Sequence, residues 1–374
     1  MTRAIRIAMF IVATTFLMTT LVRADWPRFR GPNGSGIAVD SGSLPEKWSD
    51  KENLAWKTPL PGAGVSCPIV VGDKVFVTCY SGYGPDGGEM EDLKRHLVCV
   101  DRKSGDILWD KSVDAVLPED PFSGIGVPAH GYASHTPCSD GELVYAFYGK
   151  SGAVAYDLDG NEKWRAEVGK ASDGRAWGSA SSPIIYKDVL IVTAIPESES
   201  IIAFDKTTGE KKWETKATGL IGSWSTPVLV KVNEDRSDLV LGVPYEIWGL
   251  NPDNGKLRWY CEAIEGDFYS SVVADKEVVY AVNGRSGGSI AVRAGGKGDV
   301  TESHVLWTGR DANRFGSPLA AEGNLYFIAS NFANTLDAAT GENRNKARLE
   351  GGSSGGGRGG ERGGAGGRGR PGGE

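Results

Sequence analysis

Cys99-Val-Asp-Arg-Lys-Ser-Gly-Asp-Ile-Leu-Trp109 (CVDRKSGDILW) sets two strand-like runs about a tight turn and ends on a tryptophan. The same arrangement returns as AYDLDGNEKW ending at Trp164, AFDKTTGEKKW at Trp213 and GLNPDNGKLRW at Trp259, and in diverged form as AVRAGG through HVLW at Trp307. A second element recurs, a strand opening of small residues and proline: SCPIVVGDKVFV from Ser66, HTPCSDGELVYAF from His135 and SSPIIYKDVLIV from Ser181. STPVLV from Ser225, SSVVADKEVVYAV from Ser270 and GSPLAAEGNLYFI from Gly316 continue the series. From Pro137 the steps to Pro183, Pro227, Val272 and Pro318 are 46, 44, 45 and 46 residues. Self-similarity at a fixed period of this length marks a repeat architecture. Each period holds alternating apolar and polar runs rich in Val, Ile, Tyr and Phe, split by Gly-Asp, Asp-Gly and Thr-Gly turns, which reads as hairpins, four strands per period. No sustained helical period accompanies them. The sequence therefore predicts an all-β chain, a β-propeller of four-stranded antiparallel blades whose radial arrangement leaves few open edges. Six blade repeats are readable.

A tryptophan placed once per blade after a tight turn has the flat surface needed to fill the wedge between adjacent twisted sheets. Trp109, Trp164, Trp213, Trp259 and Trp307 are accordingly expected as inter-blade core. The repeated [AGC]-[LFY]-D-x-x-[TS]-G-x-x-x-W pattern resembles the PQQ-like (pyrroloquinoline quinone) repeat family, whose docking tryptophans join propeller blades, over roughly residues 54–345. The opening WPRFRGPNGSG, Trp26 to Gly36, is similar to the start of exported planctomycete-type PQQ-repeat proteins, and the whole resembles the outer-membrane-assembly lipoprotein propeller. That resemblance is specific for architecture and says little of activity. Trp56, in NLAWKTPL, precedes the first full period and is expected to belong to a strand that completes the last blade. The sixth period, Gly316 to Glu350, however, already continues into NKARLE without a tryptophan. Two strands then compete for one place, and since members of the family commonly close with seven or eight blades, a truncated ring is expected.

Arg3 and Arg6 ahead of the apolar run Ile7 to Val22, with Val22-Arg23-Ala24 as a cleavage site, read as a signal peptide over residues 1–24. Residues 25–53 form an N-terminal extension, 54–350 the propeller, and 351–374 a disordered Gly/Arg-rich tail whose composition cannot build a core. Cleavage near Ala24 implies a periplasmic or secreted protein. The first cysteine is Cys67, so no lipid anchor is available on a new N-terminal cysteine. A formal charge of −7, more acidic still without the three arginines of the leader, argues against nucleic acid or an anionic membrane as partner. The tail's Arg358, Arg362, Arg368 and Arg370 are too few to reverse that in an acidic chain. The five cysteines form no CxxC and no adjacent pair, which removes zinc, haem and thioredoxin-like readings. Free thiols are expected, with Cys79 and Cys99 the one pair that neighbouring strands could bring together. The chain is expected to be a monomer.

No motif specifies a catalytic centre. A quinoprotein dehydrogenase reading asks for a cofactor clamp, often an adjacent-cysteine disulfide, and a calcium site with a catalytic Asp. Asp101, Asp157 and Asp205 are instead explained as turn residues. His130 and His135, in PAHGYASHTP, give a weak metal signal without a nearby acid. No PQQ, calcium or other cofactor is expected. The informative residues precede the inner strands: Tyr132, Trp177, Trp224, Tyr269 and Phe315, accompanied by His130, His135, Arg175, Asp267 and Arg314. Equivalent positions in a propeller lie on one face near the axis, so these form a candidate aromatic and charged ligand face. The expected function is an exported non-catalytic binding or scaffolding module, its ligand a protein, peptide or carbohydrate. The alternative is a quinoprotein-like oxidoreductase using PQQ.

Overall fold

The repeated Asp-x-x-Thr/Ser-Gly segment folds as its side chains dictate. Asp101 Oδ1 accepts from the backbone N–H groups of Lys103 (2.9 Å) and Ser104 (2.8 Å), and Asp205 and Asp337 repeat the arrangement with the two residues that follow them by two and three. These bonds hold the carboxyl groups of Asp101, Asp205 and Asp337 below their usual range. In the computed structural model, which describes residues 26–38, 45–284, 287–313 and 315–349, the chain forms six antiparallel sheets, and turns of this kind join the two outer strands in all but the fifth. The expected leader over 1–24 and tail over 351–374 lie outside the described residues.

Blade 1 comprises β1 (Ile69–Val71), β2 (Lys74–Ser81), β3 (Lys94–Asp101) and β4 (Ile107–Asp114). Blade 2 is β5 (Cys138–Ser139), β6 (Leu143–Phe147), β7 (Ala153–Asp157) and β8 (Glu162–Ala166). Blade 3 is β9 (Ile184–Tyr186), β10 (Val189–Ala194), β11 (Ser200–Asp205) and β12 (Lys211–Lys216). Blade 4 is β13 (Val228–Asn233), β14 (Arg236–Val243), β15 (Glu246–Leu250) and β16 (Leu257–Glu262). Blade 5 is β17 (Val273–Asp275), β18 (Val278–Val282), β19 (Ser289–Arg293) and β21 (Val305–Gly309), with β20 (Gly298–Asp299) crossing to pair parallel with β16. Blade 6 is β22 (Leu319–Ala321), β23 (Asn324–Ala329), β24 (Phe332–Asp337) and β25 (Asn343–Arg348). The core lies between blades: Leu97 and Phe76 pack against Val144 and Val154, Phe147 and Ala155 against Leu190 and Val192, and so on round to Val282 against Leu325.

Four of the five docking tryptophans reach the turn of the next blade. The indole N–H groups of Trp109, Trp164, Trp213 and Trp307 donate to the carbonyls of Leu158 (3.1 Å), Lys206 (2.8 Å), Pro252 (3.1 Å) and Ala338 (3.0 Å). The motif glycine has two tasks there. Gly209 sits at φ +74°, and a Cβ on it would lie 2.7 Å from the ring of Trp164, so the position needs both the left-handed backbone and a bare face. Trp259 departs from the pattern. Blade 5 carries Ala294-Gly295-Gly296 in place of the turn motif, and Trp259, wholly buried, donates instead to Asp238 Oδ2 of its own blade at 2.7 Å.

Trp56 docks on blade 1, its indole N–H donating to Arg102 O at 3.0 Å above Gly105. The expectation that it would lie on a strand completing blade 6 is not met: residues 54–60 form no strand, and β25 fills the fourth place of that blade. Among the described residues no strand pairs with the outer edge of β25, all six of whose residues are exposed.

Two features tie the inner strands together. A ladder of hydroxyl groups runs from blade to blade: Cys67 N–H donates to Thr136 Oγ1, Thr136 N–H to Ser182 Oγ, Ser182 N–H to Thr226 Oγ1, Thr226 N–H to Ser271 Oγ and Ser271 N–H to Ser317 Oγ, all at 2.9–3.0 Å. Below it the segment Trp26 to Gly36 crosses the axis. Trp26 pairs with Val70 of blade 1, Pro27 O accepts from Ser139 of blade 2, Arg28 donates to Pro227 O beside blade 4, and Arg30 donates to Ser317 O and Pro318 O beside blade 6. All five cysteines are free thiols, because Cys79 pairs in register with His96 while Cys99 stands opposite Phe76 and Trp109.

Candidate functional site

The loops that lead into the inner strands gather on the face opposite the Trp26 to Gly36 segment. Trp177, Trp224 and Tyr269 come from the loops of blades 3, 4 and 5, yet their ring centroids lie 5.5–6.3 Å apart, and only near the axis can blades 3 and 5 approach so closely. Phe315, 63% exposed, extends the cluster, its ring centroid 5.7 Å from that of Tyr269. Arg175 lies over Trp177 and pairs with Asp267 at 2.9 Å, and the same carboxylate accepts from the Tyr269 hydroxyl at 2.9 Å. Trp224 donates to Gly178 O at 2.8 Å. The fold brings Arg175, Trp177, Trp224, Asp267, Tyr269 and Phe315 together, while Arg314 lies outside the described residues. What sequence could not show is that the rings touch one another across the axis.

Tyr132 belongs elsewhere. It is buried among Tyr80, Tyr83 and Phe122, and its hydroxyl donates to Asp120 O at 2.7 Å. Burial lifts that phenol well above its usual range. Offset does not set it apart, since Tyr132 precedes its proline by five residues, Trp177 by six, and Trp224, Tyr269 and Phe315 precede theirs or its equivalent by three. His130 stands between the two groups, bonded to Ser134 Oγ (2.6 Å) and Trp177 O (2.8 Å), and burial pushes it below the ordinary imidazole range.

Beneath the loops lies a buried polar layer that sequence reasoning missed. Arg95 pairs with Glu119 at 2.7 Å and Lys150 with Asp120 at 3.3 Å, with Ser172 bonded to both members of the second pair. His135 Nε2 lies 3.0 Å from Ser179 Oγ, which donates to Glu197 Oε1 at 2.5 Å. Burial, helped by Arg95 and His130, pushes His135 down to about 3, so the ring is neutral. Burial lifts Glu197 to about 7 against the Ser179 bond, with Glu119 adding to the rise. Glu197 is carried inward by the helical turn Ile195–Ser198, which ends because Glu199 takes a left-handed backbone at φ 55°. Gly149, at φ 57°, makes room for it, since a Cβ there would lie 3.1 Å from Glu197 Oε1. This layer also lines a cavity of about 20 Å³, the room of one water molecule. Next to it, between the loops of blades 3 and 4, opens a pocket of about 420 Å³ formed by residues 170–174, 195–199, 216 and 221–224. Glu197 lines both.

The comparisons with known proteins agree on architecture. The family model described as outer membrane protein assembly factor BamB matches residues 47–177 and 93–347. BamB from Moraxella catarrhalis is similar in structure, with a TM-score of 0.56 and 15% identity over 80% of each chain. The quinohemoprotein alcohol dehydrogenase ADHIIG from Pseudomonas putida HK5 gives a TM-score of 0.53 and 13% identity over 76% of this chain and 59% of that enzyme. At such identities the likeness is one of fold. No curated protein sequence matches the chain.

Proposed function

Because this chain belongs to the PQQ-repeat propeller family of the outer membrane protein assembly factor BamB, we propose that it is an exported, non-catalytic binding or scaffolding module whose partner is a protein segment. The observation that carries this reading is the preformed pocket of about 420 Å³ beside the aromatic cluster, with Ile195, Pro196, Ile221 and Trp224 as its apolar wall. Concave apolar surface with a few convergent polar groups is what a binding site needs. Ile221, 45% exposed, and Phe315 extend the apolar surface outward, as an interface core requires. The name of the related assembly factor points to the same class of partner.

The quinoprotein alternative fits these residues poorly. A planar tricarboxylic quinone needs a slot between facing groups and cations free for its carboxylates. At this mouth Trp177, Trp224 and Tyr269 are in mutual contact, and Arg175 already holds Asp267. We therefore propose no quinone cofactor. The test is capture of binding segments from a displayed peptide library, repeated with Trp224→Ala and, on another surface, Lys211→Ala. The expected outcome is loss of capture with Trp224→Ala alone. Survival of binding in Trp224→Ala, or dye-linked alcohol oxidation after addition of PQQ and calcium, would overturn the proposal.

A further inference from the structure

The buried polar layer does not balance its charge. Its two cations are each committed, Arg95 to Glu119 and Lys150 to Asp120, and His135 is neutral. Glu197, only 4% exposed, is the acid left over. Its Oε1 accepts from Ser179, and its Oε2 has no hydrogen-bond partner among the described residues. A second carboxylate oxygen in the wall of the same pocket, Asp173 Oδ2, is likewise buried without a partner. Burying an acceptor unpaired forfeits its hydration with nothing in return, the more so for a charged group, so two of them in one wall mark a place where a donor belongs.

We infer that the pocket between the loops of blades 3 and 4 receives a cationic side chain, lysine or arginine, presented by a peptide segment. The inference rests on the binding role proposed for this face and adds the charge of the ligand. A cation that reaches Glu197 supplies both the missing bond and the charge that Glu197 lacks, whereas a neutral hydroxyl supplies only the bond. The apolar wall of Ile195, Pro196 and Ile221 suits the aliphatic stem of such a side chain, and Trp224 offers an aromatic surface near its head. Acidic Glu199 adds to the wall; of the two lysines that line it, Lys170 lies 3.9 Å from Glu167, and Lys216 is exposed. The net charge of −7 favours approach of a cation.

The site couples binding to protons. Glu197 titrates at about 7, and the groups that face it, Ser179, Arg95, Glu119, His130 and His135, are either paired, uncharged or titrate below it. A cation binds the ionised form, which is about one-tenth populated at pH 6 and nine-tenths at pH 8, so affinity rises about tenfold across that interval and binding near pH 7 releases about half a proton.

The experiment uses blocked tripeptides, acetyl-Ala-Lys-Ala-amide with its norleucine and glutamate counterparts, titrated calorimetrically into the full chain at pH 6 and pH 8 in two buffers of different ionisation enthalpy. The lysine peptide is expected to bind at least tenfold more tightly than either counterpart at pH 8, and about tenfold more tightly there than at pH 6. Glu197→Gln is expected to abolish the pH dependence, and Asp173→Asn to weaken binding while keeping it; near-UV circular dichroism checks that both are folded. Equal affinity for the norleucine or glutamate peptide, or no change with pH in the unsubstituted protein, overturns the cation inference and leaves the docking reading standing. Binding of all three peptides alike to the unsubstituted protein and Trp224→Ala, or of none, overturns both.

Discussion

Replacing Asp238 by asparagine removes one negative charge from a position with no solvent exposure, and the surroundings let the consequence be worked out. Its carboxylate accepts four bonds: from Arg236 Nε and Nη2 at 2.9 Å each, from Arg258 Nη1 at 2.6 Å and from Trp259 Nε1 at 2.7 Å. All four donors belong to blade 4, and the last fixes the one tryptophan that has no turn to dock on. Burial alone would raise the carboxyl, yet the bonds from Arg236, Trp259 and Arg258 outweigh it and hold the group below its usual range. Asparagine keeps the shape but turns an N–H group against one set of donors. Breaking a buried ion pair costs roughly 3–5 kcal/mol; with Arg236 27% and Arg258 24% exposed, water recovers part of that, and about 3 kcal/mol is expected. A group with a lowered native pKa contributes above its unfolded value near pH 4 and loses that contribution as pH falls through the native one, so the gap in stability between the unsubstituted protein and the Asp238→Asn variant shrinks in acid. Urea unfolding followed by tryptophan fluorescence at pH 7 and pH 3.5 measures both effects. Trp259→Phe, which removes the indole N–H, completes a double-mutant cycle with an expected coupling of about 1 kcal/mol. An Asp238→Asn variant within about 0.5 kcal/mol of the unsubstituted protein at pH 7 would refute the anchoring of Trp259 by Asp238.

Two further comparisons test the docking turns and the axial segment. Gly209→Ala is expected to cost about 3 kcal/mol or more, because a Cβ would lie 2.7 Å from Trp164, while Gly72→Ala, at φ +56° where an added Cβ would point into open space, should cost only the left-handed backbone term of about 1–2 kcal/mol; thermal unfolding of the pair checks the order. Arg28→Met is expected to be neutral or stabilising, since among the described residues the buried Arg28 side chain has one hydrogen bond, an unpartnered Nε and no carboxylate, and burial pushes its pKa down to about 10. Arg30→Met should destabilise, because Arg30 bonds the carbonyls of Gly34, Ser317 and Pro318, and equal unfolding midpoints in the two variants would contradict that difference.

The fold was legible because its causes are local and repeated. An aspartate, a glycine and a tryptophan at fixed offsets specify a turn, a bare backbone and a ring to lay on it, and each copy repeats the message with the period of one blade. The exceptions were legible only as irregularities. The missing turn of blade 5 shows as Ala294-Gly295-Gly296, but nothing near Trp259 in sequence announces Asp238 as its substitute. Thr136, Ser182, Thr226, Ser271 and Ser317 look like small residues chosen for crowding at the axis, and their hydroxyls turn out to accept the backbone of the preceding blade. The candidate site was half legible for the same reason. Trp177, Trp224 and Tyr269 all stand in the loop just ahead of an inner strand and could be grouped, whereas Arg95 with Glu119, Lys150 with Asp120 and Ser179 with Glu197 are joined by side chains from unrelated points of the chain.

The position of the pocket follows from how the axis is filled. In a ring of blades the axis is the natural place for a ligand, because every inner strand faces it. Here three rings from blades 3, 4 and 5 meet over one end, and Trp26 to Gly36 crosses the other, its arginines spent on inner-strand carbonyls. The pocket is displaced sideways, between the loops of blades 3 and 4, where the helical turn Ile195–Ser198 stands in for a simple hairpin and carries Glu197 inward. Such a site depends on that insertion as well as on the neighbouring loops. Shortening the 195–199 turn to a two-residue hairpin should therefore remove peptide binding while the docking of Trp56, Trp109, Trp164, Trp213 and Trp307, and with it the cooperative unfolding transition, is retained.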